Sequence, residues 1–573
     1  MKTGAECVIE GLERAGVKTL FGLPGGSVLD LFGRLYHSPM EFILARHEQG
    51  AAHMADGYAR ATGRVGCCVV TSGPGATNAV TGLATANMDG IPVVCISGQV
   101  PSSMIGNDAF QEADTTGITR AITKHNYLVR SPDDLPRVIA EAFYLAATGK
   151  PGPVLIDIPK DVQQAKTEGR PPRKIAIRGY SPKMEGNQKQ IKRLAEAIDK
   201  ADRPLFYVGG GVISGEAADE LTKLAKKAHV PVTTTLMGLG SFPETDPLAL
   251  RMLGMHGSVT ANNAVSECDL LVAVGARFDD RVTGRISEFA PKATIAHIDI
   301  DPSAIDKSIL TDIPVVGHVK TVLKKLAEEV KAQRRTKWLK QIREWQKQYP
   351  FAYDQKEPQI LPQYVIEQIY ELTKGKAIVT TEVGQHQMWS AHFFKYTRPR
   401  TFISSGGLGT MGYGLPAAIG AQAGMRDALV VDIGGDGSVQ MNFQELVVAV
   451  EHGLPVNVVI LNNGNLGMVR QWQEMFYNEE YSGSILTQQN RPRNEQVTPH
   501  KKHRYLPDFV KLAEAHGAVG IRVTAKKDVI PALRKAFRTK RPVVVECVVK
   551  QDENVYPMVP PGASLMQMIH SMA

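Results

Sequence analysis

Ala428-Leu429-Val430-Val431-Asp432-Ile433 runs directly into Gly434-Gly435-Asp436-Gly437-Ser438, and a second apolar run, Val456-Asn457-Val458-Val459-Ile460-Leu461, ends in Asn462-Asn463-Gly464. Short apolar runs closed by glycine or asparagine read as strands buried on both faces, the kind found in parallel sheets. Between them Met441, Leu446, Val447 and Val450 fall on one helical face, and Asn442 with Glu445 has the form of a capping box. Strand, helix and strand make one right-handed crossover unit in which both strands point the same way. Asp436 and Asn463 then meet at the carboxyl edge of the sheet, where open α/β sheets bind their ligands. A carboxylate plus an amide oxygen is a hard oxygen pair suited to Mg²⁺ holding a diphosphate, and the glycines let phosphates approach backbone N–H groups.

The same pattern spreads outward over the whole chain. Val65 to Thr71, Pro92 to Ser97, Pro153 to Ile158, Leu205 to Val208, Leu270 to Val274, Thr294 to Ile298 and Pro542 to Cys547 are further apolar runs of this type, alternating with longer amphipathic stretches. The expected class is therefore α/β. Two stretches break the pattern: the basic, proline-rich Lys166 to Asn187, and the segment from a charged helix ending near Gln346 to Pro362. They divide the chain into three α/β domains, 1–165, 188–335 and 363–548, followed by a proline-rich tail, 549–573.

Length and composition exclude several classes of function. At about 150 residues per domain, 573 residues suit three or four domains rather than a lone binding module. A net charge of +8 is small at this length and, with 6% aromatic residues and no basic-aromatic patch, does not point to nucleic acid. It does suit small anionic substrates. No apolar run approaches the roughly 18 residues of a membrane span, and Glu6, Glu10 and Glu13 stand where a targeting peptide would avoid acids, so a cytoplasmic protein is expected. The six cysteines show no C-x-x-C spacing and read as reduced core residues.

A second segment carries chemistry: Arg46-His47-Glu48-Gln49-Gly50-Ala51-Ala52-His53 follows a short strand and opens an alanine-rich helix. Glu48 is either a first-turn acid complementing the helix dipole or a partly buried carboxyl poised for proton transfer.

Taken together, these motifs resemble a known family. Gly435-Asp436-Gly437, then 24 residues, then Asn462-Asn463 resembles the thiamine diphosphate motif. Arg46 to Gly50, Thr71-Ser72-Gly73-Pro74-Gly75-Ala76-Thr77-Asn78, Ala109-Phe110-Gln111-Glu112, Thr123 to Tyr127, Asp157-Ile158-Pro159-Lys160-Asp161 and Arg277-Phe278-Asp279-Asp280-Arg281 look like the acetohydroxyacid synthase catalytic-subunit family, in order and over essentially the whole chain.

The resemblance implies three doubly wound parallel-sheet domains: pyrimidine-binding, FAD-binding and diphosphate-binding. It implies thiamine diphosphate, Mg²⁺ and FAD as cofactors. The implied reaction decarboxylates pyruvate and ligates the hydroxyethyl carbanion to pyruvate or 2-ketobutyrate, in branched-chain amino-acid synthesis. Glu48 would hydrogen-bond the cofactor's pyrimidine N1′, with Gly26, Phe110, Gln111 and Lys160 also catalytic, Arg281 on the acceptor carboxylate and Trp472 lining the acceptor pocket. Asp436, Asn463 and Asn465 would hold the metal. Val383, Gly384, Gln385, His386, Gly409, Met411, Gly435, Gly437, Ser438, Gly467 and Met468 would complete the thiamine site, Met411 wedging under the bent cofactor. The FAD site would use Gly210 and Gly211, then Thr234, Leu236 and Met237, then Met255, His256 and Gly257, with Gly275, Arg277, Asp279, Arg281, Asp299 and Ile300.

The strict G-x-G-x-x-G fingerprint is absent, because Ser214 stands where its last glycine would be. Lys150 and His318 depart from the family's usual Arg and Asp near the expected flavin, and Lys cannot reproduce the planar fork of Arg. Ser27 replaces the usual Ala, with little consequence expected. The family also implies a homodimer or homotetramer with the active site at the subunit interface, and a small regulatory subunit. The alternatives are an FAD-dependent pyruvate oxidase of the same superfamily, a catabolic flavin-free synthase, and a non-catalytic scaffold, against which intact Glu48, Asp436 and Asn463 argue.

Overall fold

Apolar runs that alternate with amphipathic stretches bury their strands on both faces, and the result is three six-stranded sheets. The computed structural model describes residues 1–486 and 506–571. They fall into two units, one of Met1–Tyr180, Ala377–Gln387 and Ile403–Gln551, the other of Ser181–Lys376, Met388–Phe402 and Asp552–Ala573.

Among the described residues the first unit carries two of these sheets and a two-stranded antiparallel pair, Lys2–Thr3 with Lys166–Thr167. The strands of the first are β1 (Thr19–Gly22), β2 (Glu41–Leu44), β3 (Gly66–Val70), β4 (Val93–Gln99), β5 (His125–Leu128) and β6 (Val154–Pro159), in the order β2-β1-β3-β4-β6-β5, parallel throughout. The second unit holds β7 (Pro204–Val208), β8 (Val232–Thr234), β9 (Ala249–Met252), β10 (Leu270–Val274), β11 (Thr294–Asp299) and β12 (Ile313–Val316), in the order β9-β8-β7-β10-β11-β12, also parallel. The other sheet of the first unit has β13 (Ile378–Thr381), β14 (Phe402–Ile403), β15 (Val430–Gly435), β16 (Asn457–Asn462), β17 (Val519–Val523) and β18 (Val543–Val548), in the order β14-β13-β15-β16-β18-β17. The strand orders of the first and third sheets match position for position. The apolar runs named above all become strands, shifted by at most two residues at either end.

Within the first unit the largest contact between the two six-stranded sheets' layers is one helix pair. The helix Glu48–Thr62 starts where the His47 ring Nδ1 accepts the Gln49 N–H, 3.1 Å, and stops at Gly63, whose left-handed φ of +75° favours a residue without Cβ. It packs on the helix Gly414–Gly424, and glycines set the separation. A Cβ on Gly57 would lie 2.2 Å from the Ala417 carbonyl oxygen, and one on Gly420 would lie 1.9 Å from that of Met54. Met54, Tyr58, Leu415 and Ile419 join Leu446 and Val458 in one buried apolar cluster here. Among the described residues no helix is long and apolar enough to cross a membrane, and all six cysteines are buried and unpaired with one another.

Two local expectations fail. Asn442 and Glu445 form no capping box: Asn442 has non-helical backbone and donates to the Gly412 carbonyl, 2.7 Å, while Glu445 accepts the Arg46 N–H, 3.0 Å, and the α-helix begins only at Leu446. Both side chains bind across the unit instead of folding back on their own turn. Met441 is 54% exposed, so it leaves the buried face expected to contain it.

Candidate cofactor and active site

In each sheet there is a pair of neighbouring strands from which the chain departs to opposite sides, and a crevice forms at such a switch point at the carboxyl ends of the two strands. In the third sheet those strands are β13 and β15, so Val383 to His386 faces Gly435-Asp436. A Cβ on Gly435 would lie 2.7 Å from the His386 ring, and one on Gly437 2.6 Å from Leu466. One on Gly467 would lie 2.1 Å from Gln385 Oε1 and 2.8 Å from Asn463 Nδ2. Glycine at these three places leaves a cradle that any side chain would fill.

Asp436 lies at the floor of this cradle and is 1% exposed. Burial pushes its carboxyl up to about 7, opposed by donation from the Asn463 and Gly464 N–H groups, and its Oδ2 has no hydrogen-bond partner among the described residues. Asp436 and Asn463 thus do meet at the sheet edge. Asn463 Oδ1 accepts the Asn465 N–H at 3.1 Å, and its Nδ2 donates to Gln385 Oε1 at 3.2 Å. A buried, unpartnered carboxylate oxygen beside two asparagines is a donor set that fits a hard divalent cation, and the glycine cradle fits a diphosphate. His386 is buried, and loss of hydration holds its ring down at about 3, hence neutral.

Sequence reasoning missed Glu382, which holds this cradle together. Fully buried, it accepts from the Gly412 N–H (2.7 Å), the Leu415 N–H (3.1 Å) and the Ser438 hydroxyl (2.7 Å). Asp432 is buried on the neighbouring strand, and both burial and the Glu382 charge push its carboxyl up. A lone acid at a strand end, after Thr380-Thr381, gives no sequence signal of such a role.

In the first sheet the switch point falls between β1 and β3, so Pro24 to Ser27 faces Thr71 to Gly75. Glu48 is 6% exposed, its Oε2 accepts the Asn78 side-chain N–H at 2.9 Å, and Gly75 leaves room beside Oε1. It is thus both the first-turn acid and a buried carboxyl. Ser27 does more than its alanine counterpart could: its hydroxyl lies 3.0 Å from that of Thr71 and accepts the Ser72 N–H at 2.9 Å. Gly26 is exposed, Gln111 is half-buried with φ +58°, Phe110 is 88% exposed, and Lys160 opens the short helix Lys160–Gln164 after β6. Gly409 (φ +71°) and half-buried Met411 lie on the loop that leads into Gly414–Gly424. Met468 and Trp472, four apart on the helix Gly467–Phe476, are half-buried, and the Trp472 ring meets Phe476 edge-on at 6.1 Å. Among the described residues no hydrogen bond joins Glu48 to Asp436 or Asn463.

The second unit repeats the device with β7 and β10. Gly210 and Gly211 follow β7, Gly275 (φ +57°) follows β10, and Cβ atoms on Gly211 or Gly275 would each lie 2.7 Å from the other's Cα. Buried Thr234 and His256 border the same sheet end with Thr234 Oγ1 and His256 Nδ1 unpartnered among the described residues, and burial holds the His256 ring at about 4. Leu236 and Met237 form a turn capped by Thr235, and Asp299 and Ile300 end β11 half-buried. A glycine-bounded crevice with free buried acceptors at the switch point fits a dinucleotide such as FAD. Met255 and Gly257 flank His256; the Met255 N–H donates to the Arg281 carbonyl, 2.8 Å. Arg277 pairs with Asp279, which caps the short helix Asp280–Thr283, and the Arg281 side chain is 59% exposed. Lys150 is exposed, and His318 precedes the helix Val319–Glu329 without capping it.

Comparison with known proteins follows the same division. Three family models match: the thiamine pyrophosphate enzyme N-terminal TPP binding domain over residues 2–118, the central domain over 191–326 and the C-terminal TPP binding domain over 382–547. The acetolactate synthase large subunit of Corynebacterium glutamicum is 48% identical over 570 residues, covering 98% of this chain and 89% of that protein. The acetolactate synthase isozyme 3 large subunit of Escherichia coli is 45% identical over 581 residues, covering 99% and 98%. An acetolactate synthase of Mycobacterium leprae is 48% identical over 571 residues, covering 98% and 89%.

Proposed function

Because the chain belongs to the thiamine pyrophosphate enzyme family, with acetolactate synthase large subunits among its relatives, we propose that it makes 2-acetohydroxyacids. It decarboxylates pyruvate and joins the remaining two-carbon unit to a second 2-ketoacid, pyruvate or 2-ketobutyrate, toward valine, leucine and isoleucine. Thiamine diphosphate, when bound, supplies the electron sink that makes this decarboxylation and ligation accessible.

The chain's own residues bind, orient and move protons. Asp436, Asn463 and Asn465 would hold Mg²⁺, and the observation that carries this assignment is the buried Asp436 Oδ2, unpartnered among the described residues, at the glycine cradle. Gly435, Gly437, Ser438 and Gly467 admit the diphosphate, while Val383, Gly384, Gln385, His386, Gly409, Met411 and Met468 surround the rest of the cofactor. Glu48 holds a proton for the pyrimidine N1′: Asn78 donates to Oε2, so Oε1 is the atom that carries it. Gly26, Phe110, Gln111 and Lys160 enclose the substrate, Arg281 pairs with the acceptor carboxylate, and Trp472 bounds its alkyl group. FAD occupies the crevice at Gly210, Gly211 and Gly275, bordered by Thr234, His256 and Asp299. The domains at 1–165, 188–335 and 363–548 take the pyrimidine, FAD and diphosphate respectively.

Relatives named large subunits imply a smaller regulatory partner. The family resemblance supports an active site completed by a second copy, in a homodimer or homotetramer. Six buried free thiols support a cytoplasmic setting. Nothing favours the oxidase alternative. Incubation with pyruvate, thiamine diphosphate, Mg²⁺ and FAD should yield acetolactate without oxygen uptake; oxygen uptake with acetyl product, or no acetolactate, would overturn the proposal.

A further inference from the structure

Two polar side chains one turn apart on the helix Val80–Asp89 hold a loop that sequence reading assigned entirely to the other sheet of the same unit. The Asp89 carboxylate accepts the Gly407 N–H on Oδ1 at 2.7 Å and the Gly406 N–H on Oδ2 at 3.1 Å. Thr85, whose hydroxyl donates to the Thr81 carbonyl, lies 2.7 Å from the Thr410 hydroxyl and accepts from it. Between these two holds lie Leu408, 43% exposed, and Gly409. With Gly at 406, 407 and 409 the loop has little conformational preference of its own, so its shape is imposed from outside.

Asp89 is itself fixed. Arg60 Nη2 donates to its Oδ2 at 2.8 Å, and Arg60 Nε donates to Asp56 Oδ1 at 2.6 Å. The side chains of Arg60, Asp56 and Asp89 are 5%, 0% and 2% exposed. Asp56 also accepts the Tyr413 hydroxyl, and the Arg60 guanidinium lies 5.5 Å from the Tyr413 ring centre. Two buried acids facing one buried base need further donors, and the glycine N–H groups and the tyrosine hydroxyl supply them. The loop's backbone is thus part of the charge balance of the cluster. Moving it leaves a buried carboxylate short of donors.

We propose that Asp89, fixed by Arg60 and seconded by Thr85, is a positioning residue that presets the Ser405–Met411 loop for thiamine diphosphate. This rests on the reading that the loop touches that cofactor, and Asp89 itself touches no reacting atom.

The test uses the full-length apo-protein with Mg²⁺. Thiamine diphosphate affinity is read by quenching of intrinsic fluorescence, and hydrogen–deuterium exchange is followed in the peptide spanning 404–411. Asp89→Asn and Asp89→Ala should weaken binding by about 10-fold or more, the size expected when hydrogen bonds to a charged group are lost. Both should speed exchange in that peptide while β3 and β4 keep parental protection, and Thr85→Val should do the same to a smaller degree. Thr85→Val keeps shape and buries no charge, so it decides the matter if the Asp89 variants fail to fold. Folded variants with parental affinity and parental loop exchange would overturn the proposal, as would exchange rising equally in β3 and β4, the mark of general loosening. Failure of the parent protein itself to bind thiamine diphosphate would instead sink the functional reading, and the loop exchange would still judge the hold.

Discussion

Replacing Gly420 with Ala puts a methyl group 1.9 Å from the Met54 carbonyl oxygen, 2.6 Å from its carbon and 2.8 Å from the Met54 Cα. All three atoms are backbone of the helix Glu48–Thr62, so no side chain can turn away, and the helices must part by about 1 Å or more to restore ordinary contact. Overpacking of this kind costs about 1–3 kcal/mol and sits at the upper end where backbone must move. The better helix propensity of Ala returns about 1 kcal/mol. A net loss of about 2 kcal/mol, set against about 2.1 cal/mol/K of unfolding entropy per residue, lowers the melting temperature of a unit of roughly 340 residues by about 3 °C. Gly33→Ala is the matched control: Gly33 lies in the helix Leu29–Leu35, and a Cβ there meets nothing within 4 Å, so melting should stay level or rise slightly. The pair also carries Glu48 at one helix start and Met411 just before the other. A displacement of about 1 Å should therefore cost activity of order 10²-fold if position governs catalysis. Differential scanning calorimetry and steady-state acetolactate formation measure the two effects. A Gly420→Ala protein that melts within a degree of its parent would refute the close-packing argument.

Glu48→Gln should leave melting unchanged and lower kcat by about 10²- to 10⁴-fold, because an amide cannot exchange a proton at N1′; near-parental turnover would remove Glu48 from proton transfer. Asp436→Ala should abolish Mg²⁺-dependent thiamine diphosphate binding, which isothermal titration would show as loss of the binding isotherm. Trp472→Leu should cut preference for 2-ketobutyrate over pyruvate by roughly 10-fold in a competition assay while acetolactate formation survives. An unchanged product ratio would make the tryptophan a packing residue. Asp157 is 1% exposed and burial pushes its carboxyl up to about 7, against an ordinary value of 3.8. The neutral acid therefore favours the fold, and its contribution is present at low pH and lost as pH rises from about 4 to 7. Between pH 5 and 8 the parent should lose about 3 kcal/mol more stability than Asp157→Asn, and parallel melting curves of the two against pH would contradict this.

What the sequence makes readable is whatever has a period or a spacing. Apolar runs ended by Gly435-Asp436 and by Asn462-Asn463 specify two parallel strands and the meeting of Asp436 with Asn463, because crossover geometry leaves both at one edge. Glu48 opens its helix as expected. The supports behind these groups are not readable, since each depends on a partner far along the chain. Asp89 ends an unremarkable helix, Arg60 and Asp56 look like an ordinary i, i+4 surface pair, and Glu382 like a strand-end acid, yet all four are buried. Glu445 misled for the same reason: three residues after Asn442 it suits a cap, but a backbone N–H at Arg46, 399 positions earlier, claims it. Trp472 and Arg281 show a further limit. Their spacing places them on a helix and a loop, and their roles depend on what lies against them.

The first and third sheets share one strand order, and the helices Glu48–Thr62 and Gly414–Gly424 occupy the same place in each, between the second and third strands. Their contact is reciprocal, Met54 against Gly420 and Ala417 against Gly57, the self-matching pattern that a two-fold axis creates between identical subunits. Here the two partners are different segments of one gene. In a true homodimer every substitution strikes such an interface twice, and both faces must stay alike. Within a single chain the halves are free to diverge: Thr71 stands at the end of β3 where Asp436 stands after β15, and Val100 follows β4 where Asn463 follows β16. Symmetric packing thus coexists with an unequal inheritance of chemistry, and a loss at Gly57 can be offset at Ala417 without any change at Met54 or Gly420.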